Sequence, residues 1–225
     1  MAEYQQLQIT SETILRAYQL GLFPMGESRE DSTIYWVDPE RRGIIPLSSF
    51  HVPRSVQRTL RRVPFVISVD KRFYQVVHAC ARRTPRRPNT WINQQIIELY
   101  MELFEKGQAH SIECWSNGVL VGGLYGVTIG AAFFGESMFS TVRDSSKVAL
   151  VHLVERLRFG GFRLLDTQFV TDHLRRFGAI EIDRDEYLQM LAVALSEEAN
   201  FYSFDTVDGS GSIVTGGGPV EPIGE

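Results

Sequence analysis

The spacing of apolar residues along the chain predicts a series of helices. In each of them apolar side chains recur every three or four positions, which places them on one face of a helix. The predicted helices extend from a cap at Thr10 or Ser11 to Gly21, from a cap at Asp70 through Phe73 to Val77, from Ile92 towards Lys106, from Ser145 to Phe159, around Asp172, and from Asp183 through Leu195. The last of these begins with a capping-box pattern, since Glu186 follows Asp183 by three residues.

Runs rich in β-branched and aromatic residues between these helices predict strands. They cover residues 65–69, 111–115, 119–127, 131–134 and 162–170, and Asn117 with Gly118 predicts a tight hairpin turn. Alternation along the last run predicts that the side chains of Asp166 and Gln168 point to the same face. Strands followed by a helix and a further strand predict an α+β fold, in which helices pack on a mixed sheet.

Length and composition favour a compact protein. The chain has 225 residues, of which 44% are hydrophobic, so it can bury a substantial core. No apolar run approaches the roughly 20 residues that a membrane-spanning helix needs. The first eight residues are polar, unlike a secretory signal, and we therefore expect a cytoplasmic protein. Cys80 and Cys114 are too few for a disulfide framework or, by themselves, for a zinc site.

The net charge of −4 hides an uneven distribution of charges. Residues 51–90 carry ten Lys or Arg against Asp70 alone, whereas residues 181–225 carry ten Asp or Glu against Arg184 alone. A basic segment can neutralise nucleic-acid phosphates, although a solvated basic face is the alternative interpretation. The acidic end is rich in glycine, so we expect a disordered tail over 203–225, after a small N-terminal lobe over 1–60 and a main domain over 61–202.

Two polar patches within apolar runs are candidates for chemistry. Glu136 lies in the run Phe-Gly-Glu-Ser-Met-Phe-Ser at 134–140, and Asp166 and Gln168 lie in the last predicted strand. An amide has little affinity for a proton, so Gln168 can accept a hydrogen bond but is not a strong base, whereas Glu136 is titratable. For Asp166, a buried carboxylate that serves stability is an equally good interpretation.

The order of several short segments closely resembles the leucyl/phenylalanyl-tRNA–protein transferase family, over residues 21–191. These segments are Gly21-Leu22-Phe23-Pro24, Trp36 before Asp38-Pro39, Thr90-Trp91-Ile92, Ala109-His110-Ser111-Ile112-Glu113, Val121-Gly122-Gly123-Leu124-Tyr125-Gly126, the segment around Gly135, Ser146-Lys147-Val148-Ala149-Leu150, and His173. Each string alone is a weak signal, but their joint order is hard to imitate. The resemblance implies an acyltransferase-like sheet of the N-acetyltransferase type.

The resemblance also implies transfer of Leu or Phe, with Met left open, from aminoacyl-tRNA to the α-amine of proteins that begin with Arg or Lys. This modification would mark those proteins for N-degron-dependent degradation. The ester is already activated, so no ATP, metal or other cofactor is required in principle, and no membrane partner is implied. The catalytic roles fall on Gln168, Asp166 and Glu136, and which group takes the amine proton stays open.

Binding residues follow from the same resemblance. The implied aminoacyl pocket consists of Leu124, Phe133, Gly135, Met138, Leu150, Leu153 and Leu165, although apolar residues in such positions more often form core. Trp36 and Trp91 are expected to stack on the 3′ adenine of the tRNA, with core packing as the alternative. The tRNA backbone is expected to contact Arg82, Arg83, Arg86 and Arg87. The sequence departs from the family pattern at Met25, where many relatives have Trp, and at Leu153, where some have an aromatic residue.

Two other functions stay open at this point. A tRNA-binding module without catalysis would not transfer an amino acid to a peptide that begins with Arg. A CoA-dependent N-acetyltransferase would hold pyrophosphate with a Gly-rich loop at a helix N-terminus. Residues 137–146, where such a loop would lie, contain no glycine, and this disfavours CoA.

Overall fold

The computed structural model consists of helices packed on β-sheets, and it describes residues 9–31, 33–62, 65–85 and 88–206. Its helices are α1 (Ser11–Gln19), α2 (Arg54–Arg62), α3 (Phe73–Ala81), α4 (Gln94–Glu105), α5 (Ser145–Phe159), α6 (Asp172–Arg175) and α7 (Arg184–Ser196). Its strands are β1 (Phe23–Gly26), β2 (Ile34–Val37), β3 (Arg41–Ile44), β4 (Val66–Val69), β5 (Ala109–Ser116), β6 (Val119–Ile129), β7 (Ala132–Ser140), β8 (Leu164–Gln168) and β9 (Ile180–Asp183). Most of the expected tail lies outside the described residues, and its first part is a short 3-10 helix, Ser203–Thr206.

A seven-stranded sheet lies at the centre of the described structure, in the order β4-β5-β6-β7-β8-β3-β9. Neighbouring strands are antiparallel except for β7 and β8, which are parallel and are joined by α5. Parallel neighbours need such a crossover connection. The predicted α+β fold with a mixed sheet is confirmed.

The N-terminal part of the chain contributes to two sheets. β1 and β2 form a separate two-stranded ribbon, whereas β3 lies in the main sheet between β8 and β9. The division into a lobe over 1–60 and a main domain over 61–202 stays a prediction, and β3 already connects the two segments through its pairing. Within the described part of the chain, no helix has the length and apolar character needed to cross a membrane.

Two apolar clusters cover the two faces of the main sheet. One contains residues of α1, α3, α4 and α7, and the other contains residues of α2 and α5. Successive strand residues alternate between them, so that Phe133 packs on the α5 side and Phe134 on the opposite side. α5 buries Val148, Val151, Val154 and Leu157, as their helical spacing predicts. Each such side chain contributes about 1.5–3 kcal/mol through burial.

The local signals in the sequence have mixed outcomes. Thr10 caps α1 by accepting a hydrogen bond from the Thr13 backbone N–H at 3.3 Å, as predicted. The hairpin turn is also confirmed, because Asn117 and Gly118 have positive φ angles of 51° and 74°. The predicted cap at Asp70 is wrong: the N-cap of α3 is Arg72.

Longer-range partners explain why two predicted caps do not form. The Asp70 carboxylate accepts hydrogen bonds from the Ser111 backbone and from His110 on β5, and it is therefore not available to α3. Asp183 is the N-cap residue of α7, but its side chain makes no capping hydrogen bond and instead pairs with Arg41 at 2.6 Å. At both positions, side-chain contacts with residues of a neighbouring strand thus replace local capping.

Candidate active site

A cavity opens where β7 and β8 separate. The two strands pair only through residues 132–134 and 164–166, whereas β7 continues to Ser140. Beyond this point β7 stays paired with β6, across a bulge between Tyr125 and Gly126. The divergence leaves a cavity of about 330 Å³ between the two strands. Ligand pockets are commonly of about 300–1,000 Å³, so this one suits a small group.

The cavity is lined mainly by apolar and aromatic residues. The predicted pocket residues that line it are Leu124, Gly135, Met138, Leu150, Leu153 and Leu165. Phe133 is not among the lining residues, because it lies on the part of β7 that is still paired with β8 and is fully buried against Phe201. Further apolar and aromatic residues line the cavity, namely Phe23, Pro24, Met25, Trp91, Tyr125, Phe169 and Leu174.

Gln168 lines this cavity from a bulged strand end. The β3–β8 pairing shifts register between Gly43 and Ile44, since Gly43 pairs with Gln168 and Ile44 with Asp166. Thr167 is the extra residue, and such a bulge redirects the side chains that follow it. The prediction that Asp166 and Gln168 share a face of the strand is therefore wrong: Gln168 lines the cavity and Asp166 does not.

The side-chain amide of Gln168 has an unpaired donor within the part of the chain that the structure describes. Its amide nitrogen Nε2 is buried and has no hydrogen-bond partner among the described residues. Buried polar groups are normally paired, and an unpaired one costs about 1–3 kcal/mol. A donor left unpaired beside a cavity is therefore a candidate contact for a ligand oxygen.

Asp166 is closed off from the cavity by its own partners. Its carboxylate has no exposed surface and accepts hydrogen bonds from Arg42 Nη2 at 2.6 Å and from the Tyr187 hydroxyl at 2.7 Å. It also accepts one from the backbone N–H of Gln168 at 2.8 Å. Asp166 thus contacts Gln168 through the backbone, and the Gln168 side-chain amide is not its partner.

Glu136 provides the titratable group of the cavity wall. Its carboxylate accepts hydrogen bonds from the hydroxyls of Tyr18 at 2.5 Å and Tyr100 at 2.7 Å. Burial raises the pKa of Glu136 to about 7, and the two phenol hydrogen bonds offset only part of this effect. Nearby Asp166 raises this pKa further and Arg42 lowers it. Glu136 can therefore exchange a proton near neutral pH, which suits general acid–base chemistry.

Comparisons with known proteins assign the family. A model of the family "Leucyl/phenylalanyl-tRNA protein transferase" matches residues 44–192, and a model of the N-terminal domain of the same family matches residues 8–40. A leucyl/phenylalanyl-tRNA–protein transferase of Paramagnetospirillum magneticum is 61% identical over 193 residues, which cover 86% of this chain and 92% of the relative. The chain belongs to this transferase family.

Other relatives agree with this assignment over nearly the full length. The transferase of Phenylobacterium zucineum is 54% identical over 217 residues, which cover 95% of this chain and 96% of that protein. Members of the family transfer Leu or Phe from aminoacyl-tRNA to proteins with N-terminal Arg or Lys. The protein is accordingly an aminoacyltransferase, and the family resemblance of the sequence is confirmed.

A solved structure, FemX, shares the fold of this transferase. Its TM-score is 0.50 at 11% sequence identity, and the match covers 76% of this chain and 66% of FemX. At such low identity the likeness concerns the fold alone. It agrees with the acyltransferase-like, N-acetyltransferase-type sheet that the resemblance implies.

The two tryptophans of the transferase lie differently with respect to the cavity. Trp91 lines the cavity itself. Trp36 does not, but it pairs directly with Pro24, which does, and 37% of its surface is exposed. Directly opposed residues of an antiparallel pair have their side chains on the same face, so Trp36 lies on the same face of the ribbon as the cavity-lining Pro24.

One of the predicted tRNA-backbone arginines, Arg82, lines a second, more polar cavity of about 570 Å³. Arg82 lines it together with Arg29, and Met138 lines both cavities. Arg83 forms an exposed ion pair with Glu30. Arg86 and Arg87 lie outside the described residues.

Four residues of the transferase site could not be found by sequence reasoning. Tyr18 and Tyr100 donate to Glu136, and Arg42 and Tyr187 donate to Asp166. Each lies on a helix or strand that is distant from its partner in the sequence. A tyrosine on an apolar helix face, or an arginine in a short strand, is common in proteins and does not by itself indicate a functional site. Only their pairing in the fold distinguishes them.

Proposed function

We propose that the cavity between β7 and β8 binds the leucyl or phenylalanyl side chain of aminoacyl-tRNA, with its ester beside Gln168 and the acceptor amine close to Glu136. One observation carries this proposal: an apolar cavity of about 330 Å³ is lined by a titratable carboxyl and by Gln168, whose amide donor has no partner among the described residues. An aminoacyl ester needs an apolar hole for its side chain and polar groups only at its reacting end.

The chemistry is aminolysis of an ester. The acceptor α-amine attacks the carbonyl carbon, a C–N bond forms, the C–O bond to the ribose breaks, and the ribose oxygen leaves with a proton. A free α-amine has a pKa of about 7.7–8.0, so a useful fraction is neutral near pH 7. Placement, removal of one amine proton and stabilisation of the carbonyl oxygen are what the protein must supply.

Gln168 suits two of these tasks through the two ends of its amide. The amide oxygen can accept a hydrogen bond from the attacking amine, and Nε2, which has no partner within the described structure, can donate to the carbonyl oxygen as negative charge develops there. Glu136 suits the third task, because its ionised form accepts a proton or holds the cationic end of the acceptor. Asp166 acts on the site through the backbone of Gln168.

The size of the apolar cavity should determine the choice between Leu and Phe. Leu150→Phe would fill part of it, because Leu150 lines the cavity from α5. We expect kcat/KM for Phe-tRNA to fall about 10-fold more than that for Leu-tRNA, within the range that one pocket group discriminates. Transfer from each charged tRNA to an Arg peptide gives the ratio. Phe133→Leu is the control, since Phe133 is buried outside the cavity and should leave the ratio unchanged.

The 3′ adenosine of the tRNA should stack at the mouth of the cavity. We expect Trp91→Ala to weaken aminoacyl-tRNA binding about 10-fold, because stacking of a base contributes about 1–3 kcal/mol. Filter binding of charged tRNA measures this change. Trp115→Ala serves as the control, because the indole of Trp115 donates to Ser68 on β4 and does not line the cavity. Equal affinities of the Trp91 variant and the wild type would remove the stacking role.

We propose that the tRNA backbone extends from Met138 over the second cavity, because arginine side chains line this cavity. Arg29 and Arg82 lie there with no carboxylate among the described lining residues. The surface ion pair of Arg83 with Glu30 is no obstacle to a phosphate contact, since exposed pairs contribute only about 0–1 kcal/mol. α2 presents further exposed arginines, namely Arg54, Arg58, Arg61 and Arg62.

Binding of CoA is disfavoured by the start of α5. A pyrophosphate would need free backbone N–H groups at this N-terminus. Asp144 lies there as the N-cap residue, with its carboxylate 3.1 Å from Lys147 Nζ. A carboxylate at this position repels a second anion, which agrees with the absence of glycine from residues 137–146.

A peptide-transfer assay tests the proposed function. The protein is incubated with an Arg-initiated peptide and, separately, Leu-tRNA, Phe-tRNA or acetyl-CoA, and an N-acetylated peptide is the control acceptor. We expect Leu and Phe on the free amine only, and no acetyl group. Binding of tRNA without any transfer would support the non-catalytic module instead. Since charged tRNA is the donor, we propose the cytoplasm as the location of the reaction.

A further inference from the structure

We propose that Arg42 and Tyr187 are positioning residues of the transfer reaction, which act through Asp166 to hold the turn that points Gln168 into the cavity. The inference rests on the proposed role of Gln168. Neither residue lines the cavity, and Arg42 and Tyr187 are each almost fully buried. Their effect on the reaction must therefore pass through their neighbours.

The turn at Gln168 has a backbone conformation that needs support. Gln168 has a φ angle of 56°, in the left-handed region that residues other than glycine rarely adopt. The backbone N–H of Phe169 donates to the carbonyl oxygen of Thr167 at 2.6 Å, which closes a three-residue γ-turn around Gln168. The γ-turn with positive φ is rare and strained. Such a conformation persists only where the surroundings determine it.

Asp166 supplies the contact that determines this turn. Its Oδ1 accepts the backbone N–H of Gln168 at 2.8 Å, so the amide plane before Gln168 is fixed in direction. Arg42 Nε donates to the same oxygen at 3.0 Å. Oδ2 accepts from Arg42 Nη2 at 2.6 Å and from Tyr187 at 2.7 Å. With both oxygens engaged, the carboxylate cannot rotate without breaking a buried hydrogen bond.

Arg42 is itself held in place on three sides. Its Nη1 donates to the backbone oxygen of Gly21 at 2.7 Å. Its guanidinium carbon lies 4.5 Å from the ring centre of Phe23 and 4.6 Å from that of Tyr187. Arg42 therefore connects the end of α1, the ribbon strand β1 and helix α7 to the turn. Phe23 also lines the cavity, so the same arginine supports two parts of the site.

Close packing of β3 completes the support. A Cβ atom added at Gly43 would lie 2.7 Å from the carbonyl carbon of Phe169 and 2.9 Å from the backbone nitrogen of Val170. The backbone of β3 thus lies directly against the turn, next to the residue that supplies the guanidinium. The arrangement serves to fix one backbone direction at Gln168.

A purely structural ion pair would give a different experimental result. Buried ion pairs often affect stability alone, and removal of one partner destabilises a protein. In that case Arg42 and Tyr187 variants would lose folded protein but keep the wild-type kcat per folded molecule. A positioning role predicts instead a lower kcat, with little change in KM for the acceptor or in affinity for aminoacyl-tRNA.

Tyr187→Phe is the sharpest variant, because it retains the ring against Arg42 and removes a single donor from Asp166. We expect kcat to fall about 10-fold, with KM for an Arg peptide and the Kd for Leu-tRNA within about two-fold of wild type. Arg42→Lys should lower kcat further. If Arg42→Lys does not fold, Tyr187→Phe still tests the proposal.

Arg156→Lys is a matched control for Arg42→Lys. Arg156 is equally buried, donates through both Nη atoms to the carboxylate of Asp205 and through Nη1 to the backbone oxygen of Phe201, and does not line the cavity. Its replacement should lower the melting temperature and leave kcat unchanged. An equal loss of kcat in the Arg156 and Arg42 variants would overturn the positioning role.

A double-mutant cycle separates this inference from the proposed function. Because the proposed effect of Tyr187 passes through Gln168, Tyr187→Phe should have little further effect on kcat in a Gln168→Ala background. Failure of the wild-type protein to transfer Leu or Phe would refute the proposed function. Transfer by the wild type, combined with the same fold loss from Tyr187→Phe in both backgrounds, would overturn the inference alone.

Discussion

Gln168→Ala should lower single-turnover transfer by about 100-fold at saturating aminoacyl-tRNA and acceptor, since loss of one donor aimed at a developing oxyanion costs about 10²–10³ in rate. The variant removes both ends of an amide whose Nε2 has no partner among the described residues. The apolar wall of the cavity stays intact, so the Kd for charged tRNA should be within about two-fold of wild type. A quenched-flow measurement of peptide labelling gives the rate.

Gln168→Glu separates the two ends of that amide. An ionised carboxylate keeps an acceptor for the amine but has no donor for the carbonyl oxygen. If the donor matters, this variant should be nearly as slow as Gln168→Ala above neutral pH. Wild-type rates for Gln168→Glu would leave only the acceptor role, and wild-type rates for both variants would remove Gln168 from the mechanism.

The sequence predicts which helices and strands form this site better than it predicts the directions of their side chains. The helix at 145–159 and most of the apolar wall follow from periodicity and resemblance, because straight strands and helices place side chains by simple counting. The direction of Gln168 does not follow from counting, since the bulge at Thr167 depends on pairing with β3, which precedes it by more than 120 residues. A pattern read within one strand cannot include a bulge that its neighbour imposes.

The pKa of Glu136 is likewise not predictable from the sequence. Glu136 is an ordinary carboxyl in the sequence, and its pKa is raised by burial and, to a smaller extent, by the nearby Asp166 of β8, whereas the hydroxyls from α1 and α4 and Arg42 of β3 lower it. Phe133 illustrates the reverse case. Its sequence position suits a pocket, but the cavity begins only beyond the point where β7 and β8 stop pairing. The distance between two strands at each residue is a property of the whole sheet.

The pH dependence of transfer provides the second large effect. Glu136 has a pKa raised to about 7, so its carboxyl is mostly ionised above that pH and loses its acceptor capacity as the pH falls through it. The acceptor amine, with a pKa of about 7.7–8.0, becomes protonated over a similar range. We therefore expect log kcat/KM to fall with a slope approaching 2 at acidic pH in the wild type.

Glu136→Gln should reduce that slope to 1, because only the amine then titrates, and should lower kcat/KM at pH 8 by about 100-fold, as for loss of a general base. The two slopes, of the wild type and of Glu136→Gln, are resolved by measuring kcat/KM for an Arg peptide between pH 5.5 and 9 in steps of about half a pH unit. A separate rise in KM with unchanged kcat would indicate that Glu136 holds the acceptor's cation and does not take its proton.

Tyr100→Phe tests the same assignment from the opposite direction. The Tyr100 hydroxyl donates to the Glu136 carboxylate at 2.7 Å and lowers its pKa. Removal of this donor should raise the pKa of Glu136 further, so the acid limb of the profile should move to higher pH while the rate at alkaline pH is retained. A shift to lower pH, or no shift, would mean that Glu136 does not control the acid limb. The reaction would then depend on the amine alone, and the buried carboxyl would serve the architecture of the cavity.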